Sequence, residues 1–302
     1  MTLHLFRWTT VLAALLALAP LLGYGLSARW RDWLEAQSIP AVRRNPIVLR
    51  ILPPALLCLP YVLVTAPLGW FHWSWFLLYA LLPPAVAALL QIASHRDPQQ
   101  RGHWIDFTVL LSLGLAVDLR WFEGAWPHAL AAFNKVILLD AGLYGFLSIR
   151  RLTGVGYDLR LRRDDWKIGL REWTFYTPIA IALGFALGFL HWSPRMDRVW
   201  LTPLLWLFTF LLIAIPEEIY FRGWMQNLLE RRLGRQNALL ITSVLFGLSH
   251  FNKRTAFFNW RYVLLAAIAG IFYGRAWRAQ RRVGASAITH ATVDTLWGLL
   301  LR

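Results

Sequence analysis

The sequence predicts an all-α protein, a polytopic transmembrane helical bundle of about eight to ten spans. Hydrophobic residues make up 58% of the 302 residues and charged residues only 16%, which is too apolar for an ordinary soluble domain. Apolar runs of membrane-spanning or nearly membrane-spanning length recur along the whole chain, separated by short segments rich in arginine. Both observations indicate a protein that lies in a lipid bilayer.

The apolar runs define the spans, and each run must be helical because lipid offers the backbone no hydrogen-bonding partners. The fourth run is short and carries Asp106 and Asp118, so the count remains between eight and ten. The runs cover residues 9–27, 47–68, 72–94, 105–122, 128–148, 174–193, 199–221, 237–252, 259–277 and 283–301.

Basic residues are distributed unevenly between the loops, and this distribution predicts the orientation of the chain. Loops after odd-numbered spans hold 20 lysine and arginine residues, against 6 in loops after even-numbered spans. The positive-inside rule then places the odd loops in the cytoplasm and both termini outside it. The net charge of +15 is therefore a membrane-topology signal, and we expect no nucleic-acid partner. The expected location is a bacterial inner (plasma) membrane.

The broadest polar interruption divides the chain into regions. We expect transmembrane helices of undefined role over residues 1–150, a basic cytoplasmic segment over 151–173, and a motif-bearing core over 174–302. All three groups of polar residues that could form a catalytic site lie in the last region. The sequence gives no indication of the oligomeric state.

Two adjacent carboxylates, Glu217 and Glu218, stand at the end of a long apolar run. Ionisable side chains at membrane depth are costly, which makes them candidates for a functional site. Arg222 follows Glu218 by four residues, a helical spacing that favours an ion pair. This pair would leave Glu217 to act as a general base on water. A buried ion-pair network without chemistry is the alternative.

The second constellation is Phe246-Gly-Leu-Ser-His250, in the next apolar run. Glu217 lies 17 residues before Gly234, which is in a basic turn, and His250 lies 16 residues after it. An antiparallel hairpin with a rise of about 1.5 Å per residue places both side chains at nearly the same depth, where they could hold a water molecule. Alone, His250 fits a hydrogen-bonded core histidine. Asn252 fits a helix cap as well as a ligand for water or substrate.

The third constellation is His290 and Asp294, four residues apart and therefore on one helical face. We expect the carboxylate to orient the imidazole, which could donate to a developing oxyanion. The alternative is a structural pair, in which His290 and Asp294 only satisfy each other's hydrogen-bonding groups in the core. Ser286, four residues before His290, permits a second enzymatic hypothesis, a serine–histidine dyad of rhomboid type.

In their order and spacing, these motifs resemble the CPBP family, the CAAX-protease and bacteriocin-processing family that is also called Abi. The resemblance covers about residues 174–302 and implies an intramembrane, glutamate-dependent endopeptidase of all-helical fold. The motifs that carry it are Glu217-Glu218-Ile-Tyr-Phe-Arg222, Phe246-Gly-Leu-Ser-His250 and His290-Ala-Thr-Val-Asp294.

The resemblance also implies a role for each motif residue. Glu217 would activate water and His250 would position it, Glu218 and Arg222 would shape the site, and His290 would line the oxyanion hole. The family often has asparagine where this chain has Asp294. Because a carboxylate donates a hydrogen bond only when protonated, we assign Asp294 to orienting His290 instead.

A metal ion is a further possibility that the sequence leaves open. A bound Zn²⁺ would be held by Glu217, His250 and His290, two imidazoles and a carboxylate. The chain contains no HExxH motif, and the paired glutamates fit metal-free base catalysis at least as well.

We therefore predict an intramembrane protease that hydrolyses a peptide bond of a membrane-associated protein or peptide. The competing class is a non-catalytic membrane scaffold, maturation partner or transporter, in which the buried polar network binds a partner or carries protons. A transporter built from repeats would have polar residues in both halves, and here they lie only in the second half.

Overall fold

The computed structural model describes residues 7–26, 47–253 and 257–301. Within these ranges the regular structure is helical, and the described residues form no strand beyond an isolated antiparallel bridge between Trp192 and Leu301. The predicted all-α class is confirmed. The chain forms two compact units, Met1–Leu152 and Thr153–Arg302.

In the part of the first unit that the structure describes there are six α-helices, of which the second and third are short. A 3₁₀ segment, Pro53–Cys58, joins the two short helices, because consecutive prolines remove the backbone donors that a regular helix needs. The sixth helix continues as a π-helix, Tyr144–Ile149. The α-helices are α1 (Trp8–Leu26), α2 (Ile47–Ile51), α3 (Leu59–Thr65), α4 (Trp73–Arg96), α5 (Trp104–Asp118) and α6 (Ala132–Leu143).

The second unit contains six further α-helices, with two π-helical segments before and after α9. The segments are Phe210–Ala214 and Ile219–Gln226. The α-helices are α7 (Arg163–Ala186), α8 (Thr202–Thr209), α9 (Ile215–Glu218), α10 (Asn227–Leu248), α11 (Trp260–Gln280) and α12 (Val283–Leu300).

Several of these helices have the length and composition of membrane spans. Among the described residues, five helical stretches qualify, and large apolar side chains are exposed along them, as lipid-facing residues would be. The stretches are Trp8–Leu26, Val48–Thr65, Trp73–Arg96, His128–Ile149 and Met196–Leu248. The chain is thus an integral membrane protein.

Gly234 interrupts the longest of these stretches. It adopts φ 77° and ψ 167°, so that two helices meet there within α10. A left-handed φ is accessible to glycine at low cost because it has no Cβ. The turn that the sequence predicted at Gly234 is confirmed.

Helix α7 begins earlier than the sequence predicted. We expected the sixth span to start at residue 174, but the helix starts at Arg163, within the expected basic segment. The carboxylate of Asp165 accepts a hydrogen bond from the backbone N–H of Arg162 at 2.8 Å, and acidic side chains in a first turn stabilise the positive end of the helix.

Close packing in the second unit places α12 at its centre. Helix α12 packs against α7, α8 and α11, and every residue from Val283 to Ala291 is buried. Helices α10 and α11 approach each other closely at Gly247, which has no Cβ. A Cβ at this position would lie 2.5 Å from the carbonyl oxygen of Val263. These contacts bring the motif-bearing parts of the second unit together.

Candidate active site

The paired glutamates lie on a helix that changes its winding around them. Glu217 and Glu218 end the short α9, between the two π-helical segments. Pro216 has no N–H to bond the preceding turn, and its ring would clash with a carbonyl four residues back, which explains the wider turn before it. π-Helical turns are rare and frequent at functional sites. The sequence reasoning assumed a regular α-helix here.

Glu218 is fully buried and lies at the centre of a polar cluster. Its Oε2 is 3.0 Å from Nε of Arg222, which is also fully buried, so the predicted ion pair is confirmed. Its Oε1 is 2.9 Å from Nδ1 of His290, and the hydroxyl of Ser286 donates to Oε2. An ionised carboxylate only accepts hydrogen bonds, so all three neighbours act as donors.

The aromatic faces around Arg222 complete this cluster. The guanidinium lies 4.9 Å from the ring centroid of Phe246 and 5.8 Å from that of Tyr273. A cation over a ring face is attracted by the ring's negative quadrupole, more strongly where water is excluded. The buried charge of Arg222 is therefore offset both by Glu218 and by aromatic rings.

His290 is held on both faces and at both ring nitrogens. Tyr273 stacks on the imidazole with centroids 4.7 Å apart, and Phe246 meets it edge-on at 5.7 Å. Its Nε2 lies 3.5 Å from Oδ2 of Asp294 and 3.9 Å from Oε2 of Glu217. Asp294 thus lies beside the ring, as the sequence predicted, and the shorter contact of 2.9 Å between Nδ1 and Glu218 is one that the sequence did not predict.

Glu217 is the accessible member of the glutamate pair. Its side chain is 29% exposed, whereas that of Glu218 is 0% exposed. The 3.9 Å to the His290 nitrogen exceeds a hydrogen bond, and polar groups at such a distance are commonly bridged by water. The two carboxylates thus have different surroundings: Glu218 is enclosed by donors, whereas the side chain of Glu217 is partly exposed beside an imidazole.

His250 lies in the turn that follows α10 and is buried. Its Nδ1 is 2.8 Å from the carbonyl oxygen of Phe246, and since a carbonyl only accepts, Nδ1 carries the proton and Nε2 is left as the acceptor of the neutral ring. The Phe246 ring lies 5.0 Å from His250 and thereby connects the two histidines. The charges of Glu217 and His290 both act on His250.

The structure places the remaining predicted residue, Asn252, half-buried in the same turn. The helix cap that we considered for it is supplied by Asn259, whose Oδ1 accepts a hydrogen bond from the backbone N–H of Tyr262 at 3.2 Å. Sequence reasoning missed Asn259 and also Tyr273. A polar residue directly before an apolar run was the available signal for Asn259; Tyr273 gave none, because an aromatic residue in an apolar helix is most simply read as core.

Comparison with known proteins bears on the identity of this region. Residues 198–296 match the profile of a family described as type II CAAX prenyl endopeptidase, Rce1-like. Over this segment the chain is similar to the CAAX-protease family. The match contains every residue from Glu217 to Asp294 that the sequence analysis selected, and the predicted resemblance is confirmed. No curated protein and no solved structure matches the chain.

The matched family is described as an endopeptidase, which is the class of enzyme that the sequence predicted. The arrangement of the described residues agrees with hydrolytic chemistry, since one accessible carboxylate, one fixed imidazole and a buried ion pair converge. The match leaves residues before 198 outside the family segment.

The described residues of the matched segment do not fit a zinc ion in the way that the sequence left open. Among the described residues, no group of three or more His, Cys, Asp and Glu side chains is arranged to hold a metal. We therefore derive no step through a metal.

Proposed function

We propose that this chain is an intramembrane endopeptidase in which Glu217 activates a water molecule for attack on a peptide carbonyl. The observation that carries the proposal is the different environment of the two glutamates. Glu218 is enclosed by His290, Arg222 and Ser286, whereas Glu217 is partly exposed and lies 3.9 Å from the other ring nitrogen of the same histidine. A general base must reach water and substrate, and only Glu217 meets this condition.

The reaction follows from these positions. Glu217 takes a proton from the water, and the resulting hydroxide forms a bond to the carbonyl carbon of the substrate. The carbonyl oxygen becomes a tetrahedral oxyanion. Glu217 then delivers its proton to the leaving amine as the carbon–nitrogen bond breaks. One proton is taken and returned, so the enzyme ends the cycle unchanged.

His290 stabilises the oxyanion in this scheme. Its Nδ1–H donates to Glu218, so a proton on Nε2 makes the ring an imidazolium surrounded by the carboxylates of Glu217, Glu218 and Asp294. The Nε2–H then points towards the side where Glu217 would hold water. A donor fixed before the reaction costs no reorganisation when charge develops, which is the usual source of oxyanion stabilisation.

His250 positions the water through its unprotonated Nε2. The hydrogen bond from Nδ1 to the Phe246 carbonyl sets this tautomer and fixes the ring. Glu218 and Arg222 act as positioning residues, because Glu218 holds His290, Arg222 pairs with Glu218, and both side chains are fully buried.

The substrate in this proposal is a membrane-associated protein or peptide cut near the cytoplasmic half of the bilayer. The family description names CAAX prenyl endopeptidases, so a prenylated carboxy-terminal peptide is the first substrate to test. With both termini outside the cytoplasm and the basic loops inside, the site of a bacterial inner-membrane protein would open towards membrane-anchored cytoplasmic proteins.

The test compares membranes that contain the wild-type chain with membranes that contain Glu217→Gln. Mass spectrometry of membrane-protein termini should reveal new termini only with the wild type. In a separate assay, the variant should cleave a prenylated peptide about 10²- to 10⁴-fold more slowly than the wild type. Glu123→Gln, in the first unit, is the matched control and should cleave normally.

Three results would contradict the proposal. Undiminished cleavage by Glu217→Gln would exclude this glutamate as the base. No new termini with either chain, together with retained binding of a partner, would favour the scaffold. Labelling of Ser286 by a fluorophosphonate would favour the serine–histidine dyad; the geometry argues against that dyad because the Ser286 hydroxyl contacts Glu218 and the carbonyl of Tyr273.

A further inference from the structure

A basic cleft opens in the second unit away from the catalytic cluster. Its volume is about 270 Å³, at the lower end of the range for small-molecule sites. Its lining residues are Gly154, Asn227, Glu230, Arg231, Arg235 and Arg281. Glu230 lies 12 positions beyond Glu218 along the chain, roughly 18 Å at the α-helical rise, so the cleft is separate from the site described above.

We propose that this cleft binds a phosphate-bearing anion, with the headgroup of an anionic membrane lipid as its source. Three guanidinium groups converge on it against one carboxylate. Guanidinium presents a planar fork of N–H donors that matches two phosphate oxygens at once, and is the side chain best suited to this recognition.

The one carboxylate of the cleft is already committed to arginines. Oε2 of Glu230 lies 2.6 Å from Nη2 of Arg281, and its Oε1 lies 3.4 Å from Nε of Arg278. Glu230 is buried, with a side chain only 3% exposed. It therefore serves to hold two guanidinium groups in place, and the charge offered to a ligand remains positive.

Backbone geometry also commits Arg281 to the cleft. Arg281 ends α11 in a left-handed conformation, φ 53°, at a position where glycine is usual. The guanidinium is fixed by Glu230, by the Oδ1 of Asn227 at 3.2 Å and by the face of Trp277 at 4.8 Å. Strain that is retained for a charged side chain points to a role for that charge.

The position of the cleft favours a lipid as the source of the anion. Arg231 and Arg235 flank the turn at Gly234, and Arg281 follows the last residue of α11, so the cleft lies where helices of the membrane-embedded unit end. Helix ends of this kind lie at the boundary of lipid and water, where basic pockets between helices bind anionic headgroups.

The experiment measures lipid retention by native mass spectrometry of the full chain in detergent. Phosphatidylglycerol is the probe and phosphatidylcholine with the same acyl chains is its neutral counterpart. The cleft variant is Arg231→Gln with Arg235→Gln. The control is Arg163→Gln with Arg232→Gln, which removes the same charge from exposed positions outside the cleft lining.

We expect the cleft variant to retain phosphatidylglycerol at least tenfold more weakly, while the control and the phosphatidylcholine series stay within twofold of the wild type. Equal loss in both variants would indicate diffuse surface charge and overturn the proposal, as would equal retention of the two lipids. A second arm of the experiment adds a competitor at millimolar concentration, either inorganic phosphate or the lipid headgroup glycerophosphoglycerol. If inorganic phosphate displaces the lipid as effectively as the headgroup does, the cleft is a site for free phosphate and the lipid is not its source of the anion.

A second substitution separates loss of binding from loss of folding. Arg235 is exposed, so Arg235→Lys alone should leave the melting temperature unchanged. Because lysine keeps the charge but cannot make a two-pronged contact, we expect a threefold to tenfold weaker retention of phosphatidylglycerol. Unchanged retention of phosphatidylglycerol by a folded Arg235→Lys protein would mean that Arg235 makes no bidentate contact with the anion.

Discussion

Nδ1 of His290 lies 2.9 Å from Oε1 of Glu218, and both side chains are buried. The two residues belong to α9 and α12, so this contact fixes one helix of the site against the other. It also distinguishes the two adjacent glutamates, because Glu218 makes this contact and Glu217 lies 3.9 Å from the other ring nitrogen. Because Glu218 accepts the hydrogen bond from Nδ1 of His290, the Nε2 of the same ring is directed towards Glu217 and Asp294.

Glu218→Gln should therefore impair folding and activity together. The amide has nearly the same shape but removes the negative charge beside Arg222, which leaves the buried guanidinium uncompensated. Loss of one partner of a buried ion pair costs about 3–5 kcal/mol. The midpoint of denaturant unfolding in detergent, measured with the cleavage rate, checks this.

Glu217→Gln is the comparison for that measurement. Since the Glu217 side chain is 29% exposed, its replacement should change the free energy of unfolding by less than about 1 kcal/mol while cleavage is lost. If Glu217→Gln destabilised the protein as much as Glu218→Gln, the division of roles between the two glutamates would be wrong.

Asp294→Asn should leave the protein folded and active. The Asp294 side chain is 41% exposed and its Oδ2 lies 3.5 Å from His290, whose orientation is set mainly by Glu218. An amide can donate to an oxyanion, which the carboxylate cannot do unless protonated. We expect kcat within about tenfold of the wild type, a change of up to about 1.4 kcal/mol. A loss as large as that of Glu217→Gln would make Asp294 essential.

The class of fold and the positions of the motifs could be predicted from the sequence because they depend on local patterns. The length of the apolar runs predicted the helices, and a glycine within a basic stretch predicted the break at Gly234. Spacing by four residues gave the pair of Glu218 with Arg222, since it is a property of one helix.

The arrangement within the site could not be predicted, because it depends on how the helices are rotated. Glu217 and Glu218 differ by about 100° around a helix, and the π-helical turns beside α9 change which of them faces inward. Spacing indicated that His290 would meet Asp294, but only the packing of α12 on its neighbours brings Glu218 to the other nitrogen.

Lowering the pH should weaken the segment before α7 through Asp158. Burial acts to raise the pKa of Asp158, but hydrogen bonds from Arg160 and the charges of Arg160 and Arg282 outweigh it and hold the pKa below its ordinary value of 3.8. A carboxyl whose pKa is lower in the folded state stabilises the fold above that ordinary value, and the contribution is lost as the pH falls through the folded value.

The measurement is the unfolding midpoint of the wild type and of Asp158→Asn between about pH 7 and pH 3. We expect the wild type to be the more stable at neutral pH, with the difference shrinking below about pH 4. Asp164→Asn is the control, because its side chain is 55% exposed and should contribute little at any pH. A constant difference between the wild type and Asp158→Asn would rule out this linkage.

Gly156→Ala should unfold the second unit or destabilise it severely. Gly156 has φ +73°, and an added Cβ would lie 1.7 Å from the carbonyl oxygen of Arg281, a backbone atom that cannot move independently. Overpacking of this kind costs about 3 kcal/mol or more. Gly234→Ala is the matched control: its φ is +77°, but no heavy atom of the described residues lies within 4 Å of the new Cβ, so only the backbone cost of about 1–2 kcal/mol applies. Denaturant unfolding of both variants would show a much larger loss for Gly156→Ala, and equal losses would mean that the contact with Arg281 does not constrain the fold.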